Sequence, residues 1–287
     1  MVIGATGLLG RAVTKYLRDS GLNVTGTGHT RVGGRDTVPL DARDPSAVDA
    51  LLDTIKPGLV INAAGERRPE HWDTDVLHEV NVHAASNIAR SCRTFAAWLV
   101  HISSDYVFDG TCPPYSPDAP RRPLNVYGAT KVRAEDEVLG RLPEATVLRL
   151  PVLYGMVERL DESNMTSLLP LVLNGVESAV DDWAIRYPTL TVDVARVLAG
   201  ALAHHDHLSG VTCHWSAMEG LTKYGMACRV GAVLGVSTDH LIPDRQASMT
   251  RPRDALLDCS LLEGLGLGIR TPLDEALTAI LSAVVTG

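Results

Sequence analysis

Short apolar runs alternate with longer amphipathic stretches through the first half of the chain. Val2-Ile3 predicts a strand stub, Arg11 to Ser20 a helix closed by Gly21, and Asn23 to Gly26 a second strand. Pro45 to Ile55 predicts a helix, followed by the apolar run Leu59-Val60-Ile61. Next come a helix from about Asp75 to Phe95, the strand Trp98 to Ile102, a helix holding Tyr127, and the strand Thr146 to Leu150. Strands alternating with crossovers of this length imply an α/β fold with a doubly wound parallel sheet covered on both faces. Ligands of such sheets sit at the carboxyl ends of the strands.

After Pro151 the alternation becomes irregular, and Asp181 to Pro188 and Ile242 to Pro252 read as loops able to line a pocket. The pattern therefore divides the chain into residues 1–150, a cofactor-binding domain, and residues 151–287, a smaller substrate-binding part. The apolar helix Val192 to His204 is a segment that could pack back on the first domain. Only Met1, Val2 and Ile3 precede Gly4, so either the first strand is shorter than the usual ~5–6 residues or the natural chain begins earlier.

Composition narrows the class. A chain of 287 residues, 45% of them hydrophobic, can bury a large core. The net charge of -8 argues against nucleic-acid partners and disfavours an anionic membrane surface. Five scattered cysteines without Cys-x-x-Cys spacing predict reduced thiols and no metal site. No basic leader precedes an apolar stretch, and Ala276 to Val285 falls short of the ~20 residues of a membrane span, so a soluble cytoplasmic protein is expected.

The candidate chemistry lies in two short stretches. Gly4-Ala5-Thr6-Gly7-Leu8-Leu9-Gly10 is a glycine turn between strand and helix, spaced Gly-x-x-Gly-x-x-Gly, of the kind that brings backbone amides to a pyrophosphate in Rossmann-type folds. At the end of the second strand, Thr27-Gly28-His29-Thr30-Arg31 lacks the carboxylate that would bind free ribose hydroxyls. Arg31 with His29 can instead neutralise a 2′-phosphate, which selects NADP(H). The plainer reading makes Arg31 a solvated loop charge. Asp41 stands where an adenine contact is expected, and Ala63, Ala64 and Gly65 are small enough for the backbone to approach the cofactor. The second stretch, Tyr127-Gly128-Ala129-Thr130-Lys131, puts a phenol and an ammonium on one helical face, with Ser104 ending the strand before it. This set suits carbonyl reduction: Tyr127 gives the proton, Lys131 lowers its pKa, and Ser104 holds the substrate oxygen. Ser103 is the substitute if the register is off by one.

These residues, with Ser103-Ser104-Asp105-Tyr106-Val107-Phe108-Asp109-Gly110, Leu148-Arg149 and Leu153-Tyr154-Gly155, resemble the extended short-chain dehydrogenases of the dTDP-4-dehydrorhamnose reductase group. Within that group, Glu66-Arg67-Arg68-Pro69, the run Val157 to Ser163, Arg186-Tyr187-Pro188-Thr189 and His214-Trp215-Ser216 are most similar to the β (regulatory) subunits of methionine adenosyltransferase. The resemblance implies NADP(H) binding, an intact Ser/Tyr/Lys set and a second domain that receives a nucleotide sugar. Asn81, Ser103, Pro151 and Leu153 join the candidate cofactor set. Candidate substrate contacts are Asp105, Val107, Arg67, Trp183, Arg186 and Arg251, of which Trp183 and Arg186 are equally readable as a packed rim. His204, His205 and His207 read as a solvated face, with no metal expected.

Two departures stand out. Ile3 replaces the usual Thr before the first glycine, and the aromatic, basic carboxyl tail by which the regulatory subunits enter their catalytic partner has no counterpart after Val284-Val285-Thr286-Gly287. The expected function is an NADPH-dependent reductase of a nucleotide-activated 4-keto-6-deoxy sugar. An NADP-binding regulatory subunit that docks on a partner enzyme is the alternative, and a ketone or imine reductase of specialised metabolism the third. A small-molecule substrate and a homodimer complete the expectations.

Overall fold

The computed structural model describes residues 1–31, 37–66 and 74–286. In chain order its elements are β1 (Val2–Ile3), α1 (Leu8–Asp19), β2 (Gly26–Gly28), β3 (Thr37–Pro39), α2 (Pro45–Ile55), β4 (Leu59–Asn62), α3 (Thr74–Leu77), a π-helical turn (His78–His83), α4 (Ala84–Thr94), β5 (Trp98–Ser104), α5 (Val126–Arg141) and β6 (Thr146–Leu150). Then follow β7 (Leu153–Tyr154), α6 (Leu169–Leu173), β8 (Ser178–Asp181), β9 (Thr189–Leu190), α7 (Thr191–Ala201), α8 (His205–Leu208), β10 (Thr212–His214), α9 (Lys223–Leu234), β11 (Leu241–Asp244), α10 (Ser260–Gly264) and α11 (Leu273–Thr286).

Seven strands form one parallel sheet in the order β10-β6-β5-β4-β1-β2-β3. The chain winds outward from β1 to β3, then returns to the other side of β1 and winds through β4, β5 and β6. The strand order therefore reverses between β1 and β4, and the carboxyl ends of the strands at such a switch point are where sheets of this kind bind ligands. The period of two along each strand assigns the two faces. Val2, Ile61 and Val100 turn toward Val13, Leu17 and Leu198 of α1 and α7. Ile3, Val60 and Leu99 turn toward Val48, Ile88 and Val138 of α2, α4 and α5.

Three expected elements are corrected. The second strand is Gly26–Gly28 and not Asn23 to Gly26, because its ladder is set by the two residues of β1: Val2 pairs with Gly26 and Ile3 with Thr27. The helix expected from Asp75 to Phe95 is corrected only in its middle: residues 74–94 are helical throughout, and the π-helical turn widens the helix there, as recurs at functional sites. The strand expected to stop at Ile102 runs on to Ser104, which carries the candidate serine to the sheet's edge.

The second half of the chain contributes to both bodies. α7 packs its Val194, Leu198 and Ala201 on α1, and β10 adds the seventh strand by pairing with β6. Trp215, just after β10, is wholly buried, as is His214. The remainder, chiefly α6, α9, α11, β8 and β11, closes its own core around Met165, Leu168, Val230 and Leu277.

Candidate active site

The cofactor cradle begins at Gly4, whose φ of +81° turns the chain sharply out of β1. A Cβ there would lie 2.7 Å from the amide nitrogen of Ala64, so the turns after β1 and β4 pack directly against each other. A Cβ on Gly10 would come within 2.1 Å of the Gly4 carbonyl oxygen. Only glycine lets α1 start this close to the strand it follows. Gly7 is the N-cap of α1, no side chain caps it, and the first turn has no acidic residue. Unsatisfied amides at a positive dipole end fit a diphosphate without further side chains. Thr6 and Leu8 are half-buried beside this turn, whereas Leu9 points into the core and can offer only its backbone.

Asn81 sits on the π-helical turn, buried, and does structural work for the cradle. Its Oδ1 accepts from the Glu66 amide (2.8 Å), and its Nδ2 donates to the Glu66 carbonyl (3.0 Å) and to Thr130 Oγ1 (3.1 Å). The loop holding Ala63, Ala64 and Gly65 is thereby tied to α5. Pro151 and Leu153 lie after β6, where Leu153 starts the short strand paired to β9.

At the end of β2 the cations are already engaged. Arg43 donates from Nε (2.8 Å) and Nη2 (2.7 Å) to Asp41, and His29 lies 3.5 Å from the same carboxylate. The hydrogen bond from Arg43 is the largest influence holding the Asp41 carboxyl at about 2. Arg31 donates through Nη1 to Glu162, which also takes Arg11. Burial opposes the charge of Glu162, but hydrogen bonds from Arg11, the Glu158 amide and Arg31 outweigh it and hold that carboxyl at about 2. Arg43 and Glu162 were not foreseen. Asp41-x-Arg43 was a local signal for the first; the second is 131 residues from Arg31 and had none.

Ser104 ends β5, buried, with its Oγ donating to Asp105 Oδ1 (3.1 Å) and accepting from the Tyr106 amide (3.2 Å). Asp105 is itself buried, and burial raises its carboxyl to about 6 against the pull of Arg186. Tyr127 stands in the first turn of α5, half-buried, with its ring edge-on to Tyr106 at 5.8 Å between centroids. The N-cap of α5 is Asn125, whose Oδ1 accepts from the Gly128 amide (2.8 Å) while its Nδ2 donates to the Thr250 carbonyl (2.9 Å). One turn beyond Tyr127, Lys131 is buried and donates to the Ile102 carbonyl (2.8 Å). Burial lowers its ammonium to about 8, and nearby Glu135 resists that shift.

Glu135 anchors the floor of the site. It accepts from Ser103 Oγ, from Arg149 through Nε (2.9 Å) and Nη2 (2.8 Å), and from Arg121 (3.1 Å). Ser103 thus faces this buried network and is not an interchangeable neighbour of Ser104. Arg149 also reaches the Pro117 carbonyl (2.8 Å) and His214 (3.2 Å).

Among the candidate substrate contacts, Arg186 lies with its guanidinium 5.8 Å from the Tyr106 ring centroid, near enough to Asp105 to favour its charge, and bonds the Pro252 carbonyl (3.3 Å). Trp183 is half-buried on the same loop, and Arg251 pairs with Asp181 at 3.6 Å. The loops 181–187 and 249–253 therefore face the starts of α5 and of the turn after β5. Val107 is corrected: it is wholly buried in the core, and only its carbonyl is used, by the Arg122 amide (2.8 Å). Arg67 lies outside the described residues. Among the described residues no group of His, Cys, Asp and Glu could hold a metal, and no helix is long and apolar enough to cross a membrane.

The family model described as the RmlD substrate binding domain matches residues 1–286. Methionine adenosyltransferase 2 subunit beta of Xenopus tropicalis is 42% identical over 281 residues, covering 95% of this chain and 84% of that protein. A probable dTDP-4,6-dihydroxy-2-methyloxan-3-one 4-ketoreductase of Streptomyces antibioticus is 32% identical over 298 residues, covering 99% and 96%. A dTDP-4-dehydrorhamnose reductase crystal structure from Clostridium acetobutylicum superposes with a TM-score of 0.84 at 25% identity, covering 99% of this chain and 98% of that one.

Proposed function

Because the chain belongs to the RmlD substrate-binding-domain family, we propose that it is an NADP(H)-dependent oxidoreductase of the extended short-chain type, reducing a keto group on a nucleotide-activated 4-keto-6-deoxy sugar. What supports this reading is that Ser104 ends β5, that Lys131 bonds the Ile102 carbonyl of the same strand, and that Tyr127, one turn before Lys131 on α5, lies edge-on to Tyr106, in a chain whose glycine turn suits a dinucleotide. Bound NADPH would supply the hydride. Tyr127 gives its phenolic proton to the substrate oxygen as charge develops there, and Ser104 turns its hydroxyl from Asp105 to donate to that oxygen. Lys131, held on the Ile102 carbonyl, keeps a positive charge one turn from the phenol and favours its ionised form.

Gly4, Thr6, Gly7, Leu8, Leu9 and Gly10 would hold the diphosphate, Ala63 to Gly65 with Asn81 the central part, and Asp41 the adenine. Residues 151–287 would furnish the substrate-binding part, less β10 and α7, which belong to the sheet layer. Arg186, Trp183 and Arg251 would contact the substrate from that part, as residue types suited to a nucleoside diphosphate. The test is NADPH consumption over a panel of nucleotide 4-keto-6-deoxy sugars, with Tyr127→Phe as control; turnover lost in the variant supports the reductase.

One finding favours a second reading. Identity to the methionine adenosyltransferase β subunit, 42%, exceeds the 32% to the ketoreductase. Under it the chain binds NADP(H) and docks on a partner enzyme. Tight NADPH binding with no turnover on any sugar, together with binding to a methionine adenosyltransferase catalytic subunit, would favour this reading over the first.

A further inference from the structure

The 2′-phosphate of the cofactor needs a guanidinium whose donors are free and fixed, and the two described arginines near the end of β2 differ in this. Arg43 spends both donors of its side-on edge, Nε and Nη2, on Asp41. Among the described residues Arg31 is engaged through Nη1 alone, with Glu162 and, at 3.8 Å, Glu158. Its Nε and Nη2, a parallel pair of N–H groups matched to two phosphate oxygens, have no partner among the described residues. The side chain is 45% exposed, so without a clamp this long, flexible group would sample many rotamers.

Glu162 provides the clamp. It is 7% exposed, on the turn Leu160–Glu162 of the second half of the chain. It is itself fixed by both Nη atoms of Arg11 and by the Glu158 amide at 3.0 Å. Arg11 in turn bonds the Thr6 carbonyl at 2.8 Å, inside the glycine turn. A buried carboxylate therefore ties one end of the Arg31 fork to the glycine turn and, among the described residues, leaves the other edge open.

We infer that Glu162 is a positioning residue for recognition of the cofactor's 2′-phosphate: it acts through Arg31, so that a turn outside the glycine motif sets the preference for NADP(H) over NAD(H). This inference rests on the dinucleotide reading of the cradle. Fixing the fork beforehand removes the entropy cost of ordering it on binding, and that gain applies only to a ligand carrying the 2′-phosphate.

The test uses 2′,5′-ADP and 5′-ADP as probes, titrated by calorimetry into the purified protein, with NADPH and NADH alongside. The wild type is expected to prefer 2′,5′-ADP at least about tenfold, the scale of a charge-assisted pair. Glu162→Gln should remove most of that preference while leaving 5′-ADP binding within about twofold. In an Arg31→Ala background the same substitution should change nothing further. Equal losses for both probes, a gain for 2′,5′-ADP, or a Glu162→Gln effect that persists without Arg31 would each overturn the inference. If Glu162→Gln does not fold, Arg31→Lys serves instead. Its ammonium can keep the Glu162 pair but lacks the second edge, so an undiminished preference there would also overturn it. A wild type that binds both ADP probes equally defeats the role of Arg31 and leaves the cradle standing. A wild type that binds none of the four nucleotides defeats the dinucleotide reading itself.

Discussion

Tyr127 and Lys131 share a face of α5 but differ in exposure, and their variants should differ accordingly. Tyr127→Phe removes the proton donor and keeps the ring; turnover should fall at least about a hundredfold while NADPH affinity, followed by fluorescence titration, stays within about twofold. Lys131→Ala empties a buried site on the Ile102 carbonyl, so affinity and turnover should both fall. Asp105 gives a pH signature. Its carboxyl binds a proton more tightly in the fold, at about 6, than at its ordinary 3.8, because burial disfavours the charge. Folding therefore takes up a proton between those values, and stability falls as pH rises through that window. Asp105→Asn should raise the melting temperature at pH 7.5, by a free energy on the order of 3 kcal/mol, and the gain should shrink below pH 6 and vanish near pH 4. A gain independent of pH would show that the carboxyl's charge is not its cause.

At the scale of elements, the glycine turn is the strictest part of the site. Gly10→Ala would drive a methyl group into the Gly4 carbonyl and push α1 off the strand end. Loss of nucleotide binding by at least about tenfold is expected, from the misplaced amides of the first turn, with helix content by circular dichroism nearly unchanged. Asn125→Ala should cost about 1 kcal/mol, the usual worth of an N-cap, and should also release the Thr250 loop. Much of this was legible in the sequence. The glycine spacing and Tyr127 and Lys131 on one helical face are local patterns, and local patterns survive into the fold. The π-helical turn at Asn81 was not legible, because the residues around it read as one ordinary helix. Glu162 beside Arg31, Arg186 over Tyr106 and Glu135 beneath Ser103 were not legible either, since each joins residues brought together only by the crossing of distant segments. The strand after Gly21 was misplaced because two residues of β1, not the apolarity of Val24, decide which residues pair.

At the scale of the whole molecule, the buried Glu135 network fastens β5, α5, β6, β10 and the loop before α5 at one point. Breaking a buried ion pair from one side leaves a charge without compensation and costs about 3–5 kcal/mol. Arg149→Met should lower the urea midpoint accordingly, and the double change with Glu135→Leu should recover part of the loss. Recovery would separate the charge penalty from simple loss of packing.

The seventh strand, finally, bears on how the chain is made. β10 lies 62 residues beyond the end of β6, and α7 covers α1 from the same late stretch. A ribosome that has released the first 150 residues has exposed the glycine turn and the Ser/Tyr/Lys set, but β6 is still an open edge and the apolar face of α1 is bare. Such an edge invites pairing with another chain. A fragment ending at Leu150 should aggregate instead of binding nucleotide, one extended through Trp215 should be the first to stay in solution, and chaperone dependence during synthesis should concentrate in the interval between them.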